Sequence, residues 1–278
     1  MSTGAAPMTQ ICDDMRAEHE DLDSLVAPLT EATWDAPTPA EGWTIRDQIS
    51  HLAYFDRVAL VSAMDPNRFR VEREIALADV AALIADSVDL GRALPAAQLL
   101  GYWRNWRQEL VAALRELDHS DRIPWYGPEM SAASFASARL METWAHGQDV
   151  ADALGIFRVP SARLRHVAHL GVRAFANSFR AHNLAVPDCS VLVELDGPGG
   201  ARWTWGDASV LGDSVRGPAL DFCLVVTQRR HRADTDLQMV GPVAEAWMEV
   251  AQAFAGPPGA GRRPGQFGRG AQGTREQR

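Results

Sequence analysis

The sequence contains no lysine: all 27 basic residues among its 278 positions are arginine. A phosphate-binding P-loop, a pyridoxal Schiff base and a lysine nucleophile are therefore excluded, because each of them requires a lysine. Cysteine is scarce as well. The three cysteines, Cys12, Cys189 and Cys223, lie far apart and form no C-x-x-C pair. This spacing disfavours a disulfide framework and a cysteine zinc site.

Long apolar runs are also missing. No segment reaches the roughly 18 consecutive apolar residues that a membrane-spanning helix needs. The first residues, MSTGAAPMTQICDD, contain neither the basic region nor the apolar stretch of a secretory signal. From these absences we expect a cytoplasmic protein with no membrane partner.

The charge of the chain is unevenly distributed. There are 36 acidic residues against 27 arginines, which gives a net charge of −9. The segment 257–278 contributes +4 through five arginines and one glutamate, which leaves −13 for the rest of the chain. A body this acidic is unsuited to a phosphate backbone, so we expect no nucleic-acid partner. The Gly/Arg-rich composition of 257–278 predicts a disordered tail.

Two parts of the chain differ in their pattern of apolar and polar residues. Residues 1–157 show helical periodicity and predict a helical bundle, whose helices are expected at 9–33, 45–64, 74–94, 96–117 and 131–154. Residues 160–256 mix a helix at 162–184 with alternating, β-rich segments such as VLVEL and ARWTW, and predict a small α+β domain. In this second part, residues 217–228 fit either a helix or a strand. The predicted fold class is therefore α+β.

One pattern of residues in the last predicted helix of the bundle is suited to metal binding. Glu142 and His146 are four positions apart and share a helix face, and Asp149 lies on the same stripe. A carboxylate and an imidazole placed in this way can bind one metal ion, and zinc accepts both kinds of donor at about 2.0–2.2 Å. His51 follows Asp47 with the same spacing, in an apolar segment that predicts an inward-pointing histidine.

Each acid–histidine pair can also be interpreted as purely structural, either as a surface pair or as a buried histidine with hydrogen-bond partners. Both pairs lie in strongly apolar segments, however, and buried polar groups need partners. Two histidines and one glutamate from two helices can satisfy one another through a metal, as in other helical bundles. Of the other candidates, Trp125 and Tyr126 are interpreted as loop structure, His19 as a partly exposed histidine, and Asp47 as a helix-capping residue.

The segments WTIRDQISHLAYFD (43–56) and ETWAHGQDVADALG (142–155) resemble the N-terminal domain of mycothiol-dependent maleylpyruvate isomerases, a DinB-like four-helix bundle. The resemblance covers roughly residues 9–157. It implies that His51, Glu142 and His146 bind a divalent metal, usually zinc. Residues 160–256 are similar, more loosely, to the sterol-carrier-like second domain of the same family.

The resemblance also implies a function. Three protein ligands leave open positions on the metal, which is typical of catalytic sites. In that family the thiol of mycothiol is activated there and adds to an electrophilic small-molecule substrate. We therefore expect a divalent-metal-dependent enzyme that uses a mycothiol-like thiol for isomerisation or S-transfer. Arg229 or Arg230 is the nearest match to an arginine that holds an anionic substrate, and Asp149 is expected to orient a ligand imidazole.

Two other functions stay open at this point. A zinc-dependent hydrolase of a small molecule would need the same metal site but no thiol. A non-enzymatic module that binds a metal or a small ligand would need no open position on the metal. The sequence leaves open the substrate, the native metal and whether the chain forms a homodimer.

Overall fold

The computed structural model of the chain describes residues 8–207 and 212–267. The chain divides into two compact units, Met1–Ile156 and Phe157–Arg278. The helices of the first unit are α1 (Met8–Val26), α2 (Glu31–Trp34), α3 (Ile45–Met64), α4 (Pro66–Ala78), α5 (Val80–Arg92), α6 (Ala96–Arg115) and α7 (Ala132–Leu154). Two short antiparallel strands, β1 (Arg122–Ile123) and β2 (Met130–Ser131), precede α7.

Four long helices, α1, α3, α6 and α7, form the bundle of the first unit. Helix α3 packs against α6 and α7, and α1 packs against the same two helices. The core between them contains side chains with almost no solvent exposure: Leu22, Trp34, Ile45, Ile49, Leu52, Leu99, Trp103 and Val150. Each large apolar side chain buried in this way contributes roughly 1.5–3 kcal/mol to the stability of the bundle.

Local capping sets the ends of the helices that carry the candidate site. Thr44 and Asp47 form the predicted capping box at the start of α3: each side chain accepts a hydrogen bond from the other residue's backbone N–H. Ser131 caps α7 through Ser134 N, and Gly155 ends this helix in the left-handed conformation, with φ of +64°.

Three predicted helices are divided in the structure. The helix expected at 162–184, in the second unit, is divided into Leu164–Arg173 and Phe175–Ala181. The prediction over 74–94 is wrong in its start and its continuity, because α4 begins earlier and Asp79 separates it from α5 by accepting a hydrogen bond from Ala82 N. The prediction over 9–33 is wrong in its end. Helix α1 stops at Val26, two residues before Pro28, and proline cannot continue a helix.

The second unit combines a four-stranded sheet with helices. Its elements are α8 (Leu164–Arg173), α9 (Phe175–Ala181), β3 (Leu192–Asp196), β4 (Arg202–Trp205), β5 (Ser214–Pro218), α10 (Ala219–Val226), β6 (Gln238–Val240) and α11 (Pro242–Val250). The strand order is β4-β3-β5-β6. The central pair, β3 and β5, is parallel, and both outer pairs are antiparallel.

The core of this unit lies between the sheet and its helices and includes Val193, Leu195, Val215, Phe222 and Trp247. Helices α8 and α10 pack closely, because a Cβ on Gly171 would lie only 2.8 Å from a methyl group of Val226. Most of the segment 217–228 is helical, because residues 219–226 form α10 and residues 217–218 end β5, and the predicted α+β fold class is confirmed.

The part of the predicted tail that the structure describes contacts the second unit. Residues 257–267 have no helix or strand, but the backbone N–H of Gly265 donates to Asp234 at 2.7 Å. The ring of Phe267 covers the guanidinium of Arg230, with its centroid 3.7 Å from Cζ. Residues 268–278 of that tail lie outside the described residues. Across 8–207 and 212–267, no helix is both long enough and apolar enough to cross a membrane.

Candidate metal centre

The structure brings His51, Glu142 and His146 together inside the first unit. His51 lies in α3, the two other residues lie in α7, and these helices pack against each other. The four-residue spacing in α7 places Glu142 and His146 on one face of the helix. His146 is buried, and the other two side chains are half-buried. The sequence pattern therefore corresponds to a real cluster of donor groups.

The geometry of the cluster fits a divalent metal ion. Each residue offers one ligand atom, and these atoms all lie within 4.8 Å of one another. His146 Nε2 lies 3.3 Å from Glu142 Oε2. Neighbouring ligands of a tetrahedral zinc ion are separated by roughly 3.4 Å, given bonds of about 2.0–2.2 Å. Two imidazole nitrogens and a carboxylate oxygen are also the donor types that zinc accepts, so the residues present fit the group.

The charge of Glu142 is stabilised where it lies. Burial by itself would raise the pKa of Glu142, but the hydrogen bond and charge of His146, with smaller contributions from Arg139 and His51, lower it to about 2. The carboxylate is therefore ionised at neutral pH. A negative charge beside two imidazoles attracts a cation into the cluster.

Aromatic rings surround the two histidines. The Trp43 ring stacks on His146 at a centroid distance of 6.0 Å and meets the His51 ring at 5.1 Å. The centroid of the Phe55 ring lies 4.6 Å from that of His51. These rings form an apolar wall around the donor atoms, which lowers the local dielectric and strengthens their attraction for a cation.

Two residues that the sequence analysis did not single out hold the histidine rings. Gln48 Oε1 lies 2.5 Å from His146 Nδ1, and Ser87 Oγ lies 3.0 Å from His51 Nδ1. Gln48 had one usable signal in the sequence, because it precedes His51 by three residues on an apolar helix. In the structure Gln48 is fully buried. Ser87 belongs to α5, which is distant in sequence, and no local pattern connects it to the cluster.

The acidic candidates have separate positions. Asp149 is buried in α7, three residues after His146, and lies outside the cluster that the described residues form. Its expected role, the orientation of a ligand imidazole, stays a prediction. Nδ1 of His146 contacts Gln48, and Nδ1 of His51 contacts Ser87. Asp47 caps α3, as expected, and also binds Arg92 at 2.8 Å.

The arginine candidates belong to the second unit, directly after α10. Arg229 Nη1 donates to Thr227 O and Arg230 Nη1 donates to Arg229 O, both at 2.7 Å. Arg230 is buried beneath Phe267, as described above. Their action on a substrate stays a prediction.

The loop aromatics pack inside the first unit. Trp125 stacks on Phe69, with ring centroids 5.5 Å apart and planes 6° from parallel. Tyr126 meets Phe55 edge to face at 6.0 Å, and burial raises the pKa of its hydroxyl. The interpretation of both residues as loop structure agrees with these contacts. His19 differs from expectation, because it is buried in α1.

Comparison with known proteins places the chain in a family. Two uncharacterized proteins of Mycobacterium tuberculosis, from strains CDC 1551 and H37Rv, are each 49% identical to it over 249 residues, which is 90% of this chain and 96% of theirs. Residues 15–151, which include all three candidate ligands, match the mycothiol maleylpyruvate isomerase N-terminal domain. The chain belongs to this family. The resemblance seen in the sequence is thereby confirmed.

The fold of the family extends to solved structures. A mycothiol-dependent maleylpyruvate isomerase superposes with a TM-score of 0.57 over 84% of this chain and 93% of its own, at 16% sequence identity. A histidine-to-alanine variant of the mycothiol-dependent maleylpyruvate isomerase gives a TM-score of 0.56 over 81% of this chain and 90% of its own, also at 16% identity. At this level of identity, the likeness establishes the fold.

Proposed function

We propose that this chain is a divalent-metal-dependent enzyme that uses a low-molecular-weight thiol, such as mycothiol, to isomerise or conjugate a small electrophilic substrate. The observation that carries the proposal is the cluster of His51, Glu142 and His146 inside the bundle of a family member. The solved relatives of the same fold are described as mycothiol-dependent maleylpyruvate isomerases, which supports the thiol and the isomerisation.

The three residues would hold the metal through two neutral imidazoles and one carboxylate, and zinc is the ion that this donor set favours. When bound, such an ion supplies positive charge that lowers the pKa of a thiol at an open position. Glu142 contributes the single negative charge of the protein ligands, so a divalent ion keeps a net charge of +1. That remaining charge favours a thiolate over a neutral thiol.

The protein surroundings contribute separately. Trp43 and Phe55 pack against the His51 ring and cover part of its surface. In a site from which water is excluded, the attraction between a thiolate and nearby positive charge is stronger than in water. For the substrate, we propose Arg229 or Arg230 as the group that binds a carboxylate, because a guanidinium can donate two parallel hydrogen bonds to it.

The test uses cobalt(II) in place of the native ion. Cobalt-loaded wild-type protein is mixed with mycothiol, or with a simpler thiol, and the near-ultraviolet spectrum is recorded. We expect a thiolate-to-cobalt charge-transfer band, which reports a thiol bound directly to the metal. Thiol-dependent isomerisation of maleylpyruvate is then followed by absorbance, with other small electrophiles screened in parallel.

The control is His146→Ala, which removes one ligand and should abolish both the cobalt spectrum and any thiol-dependent turnover. Metal binding without a charge-transfer band, together with turnover that does not require a thiol, would contradict the thiol part of the proposal. That outcome would favour a metal-dependent hydrolase. Metal binding with no turnover in any screen would favour a binding module.

A further inference from the structure

The hydrogen bonds around His51 identify which ring nitrogen carries its proton. Ser87 Oγ donates its hydrogen to the carbonyl of Ile84 at 2.7 Å. A hydroxyl has one hydrogen, so a Ser87 Oγ that donates to Ile84 accepts at its other and longer contact, which is 3.0 Å from His51 Nδ1. This arrangement places a proton of His51 on Nδ1, so that Nε2 is the ring nitrogen that can bind a cation.

A chain of three hydrogen bonds fixes His146 in the same way. Thr38 Oγ1 donates to Trp43 O at 2.9 Å, so it must accept from the Gln48 side chain, whose Nε2 lies 3.0 Å away. This contact fixes the orientation of the Gln48 amide and turns Oε1 towards His146 Nδ1. A carbonyl oxygen only accepts, so Nδ1 of His146 donates and Nε2 faces Glu142.

We propose that Gln48 and Ser87 are positioning residues that bind the Nδ1–H of His146 and His51, so that each ring presents Nε2 to one cation. This inference rests on the proposed metal-dependent function. In each case the supporting group comes from a different helix from the histidine: Ser87 of α5 holds His51 of α3, and Gln48 of α3 holds His146 of α7. The cluster is therefore oriented by contacts between helices.

The position of Ser87 is itself fixed by the packing of α5. The hydroxyl of Ser50, the neighbour of His51, donates to Ser87 O at 2.7 Å and accepts from Gly91 N at 2.9 Å. Ser50 thus bonds into the backbone of α5 at the turn that carries Ser87. This approach is possible because residue 91 has no side chain: a Cβ there would lie 2.5 Å from the Cβ of Ser50.

The variants for the test are Gln48→Leu and Ser87→Ala, each of which removes an acceptor at Nδ1. Partners of this kind typically change metal affinity by roughly 10–100-fold. We expect each variant to bind zinc that much more weakly than wild type, measured by competition with a chromophoric chelator. Gln48→Glu, in contrast to Gln48→Leu, should keep the zinc affinity of wild type, because a carboxylate also accepts a hydrogen bond from Nδ1–H.

Matched controls come from exposed positions. Ser24 in α1 donates to Asp21 O, three residues before it, as Ser87 does to Ile84, and Gln98 is an exposed glutamine in α6. Ser24→Ala and Gln98→Leu should leave zinc affinity unchanged. Imidazole ¹⁵N resonances of the zinc-loaded wild type should show a hydrogen on Nδ1 and the metal on Nε2 for both histidines.

The outcomes separate this inference from the proposed function. If wild type binds zinc and Gln48→Leu and Ser87→Ala bind it equally well, or if the metal is on Nδ1, the positioning role is wrong while the metal site stands. If wild type binds no zinc, the proposed function is wrong, and with it the role assigned to the two hydrogen bonds. Weaker zinc binding by Gln48→Leu and Ser87→Ala, with wild-type affinity in Gln48→Glu, would support the positioning role and the metal site.

Discussion

Asp56 and Arg139 form a buried ion pair that joins α3 to α7 beside the candidate metal centre. Arg139 donates two hydrogen bonds to one carboxylate oxygen of Asp56, at 2.8 and 3.2 Å. The two side chains are 0% and 5% exposed, and Trp103 Nε1 donates to the other carboxylate oxygen. The pair lies five residues after His51 and three before Glu142, so it fixes the two helices where the donor atoms meet.

The first prediction concerns this pair. Asp56→Asn leaves the guanidinium of Arg139 buried without a counter-charge, which should lower the free energy of unfolding by about 3–5 kcal/mol. Urea denaturation measures the change. The double variant Asp56→Leu/Arg139→Met removes both charges and should recover part of this loss, because well-packed apolar groups can replace a buried ion pair. A loss of about 1–3 kcal/mol should remain, because Trp103 Nε1–H no longer donates to Asp56.

A matched control is Arg68→Ala, which breaks the exposed pair between Arg68 and Glu72. Exposed pairs contribute little, so this variant should change stability far less than Asp56→Asn. Equal effects of the two single variants, or a double variant as unstable as Asp56→Asn, would contradict a role for the buried charges as a pair.

The sequence predicted the candidate ligands more fully than the residues that contact their rings. His51, Glu142 and His146 could be predicted from the sequence, because helical spacing and a family motif both identify them. Ser87 could not be predicted from the sequence. Its contact with His51 depends on how closely α5 approaches α3, and tertiary packing sets that distance. The pair of Asp56 and Arg139 joins distant segments in the same way.

His19 provides a prediction about pH. It is 2% exposed, its ring meets Trp103 edge to face at 6.0 Å, and its Nε2 has no hydrogen-bond partner among residues 8–207 and 212–267. Burial lowers the pKa of His19 to about 4; Asp56 opposes this shift, and Arg107 and Arg139 add to it. The folded protein therefore keeps this histidine neutral at pH values where the unfolded chain protonates it.

Because the unfolded state binds the extra proton, stability is full above the ordinary pKa of 6.5 and falls as the pH drops towards 4. Between pH 7 and pH 5 the loss from this group should be about 2 kcal/mol. His19→Phe removes the titration and keeps a ring against Trp103. Urea unfolding of wild type and His19→Phe at pH 7 and pH 5 measures this loss. If the two proteins differ in free energy of unfolding by the same amount at both pH values, the prediction is contradicted.

The third prediction uses two helical glycines in different surroundings. A Cβ at Gly91 would lie 2.5 Å from Ser50 Cβ and 3.0 Å from Leu99 Cδ2, whereas a Cβ at Gly101 would meet nothing within 4 Å. Gly91→Ala should therefore destabilise the bundle by about 1–3 kcal/mol through overpacking. Gly101→Ala should stabilise it by about 0.5–1 kcal/mol, because alanine is the better helix former.

Thermal denaturation of both glycine variants measures the difference. Gly91→Ala should also weaken zinc binding, because it moves α5 and with it Ser87 away from His51. A Gly91→Ala protein as stable as Gly101→Ala would show that α5 does not need the close approach to α3.

The predictions that failed in the fold share a physical cause. Helical periodicity predicted most of α1 and α5 but not the first part of α4, and the breaks between helices depend on single residues. Asp79 interrupts an otherwise helical pattern because its side chain competes for a backbone N–H. The ambiguous segment at 217–228 is apolar on all sides, so its period could not separate a helix from a buried strand. Its packing against α8 decides for the helix.

The most direct test of the central claim is metal content, measured by mass spectrometry on wild type and His146→Ala purified without an affinity tag. The account predicts roughly one equivalent of zinc or a similar divalent ion in wild type, bound by His51, Glu142 and His146, and its loss in the variant with an unchanged circular dichroism spectrum. Wild type without metal even after zinc is added, or full occupancy in His146→Ala, would contradict it.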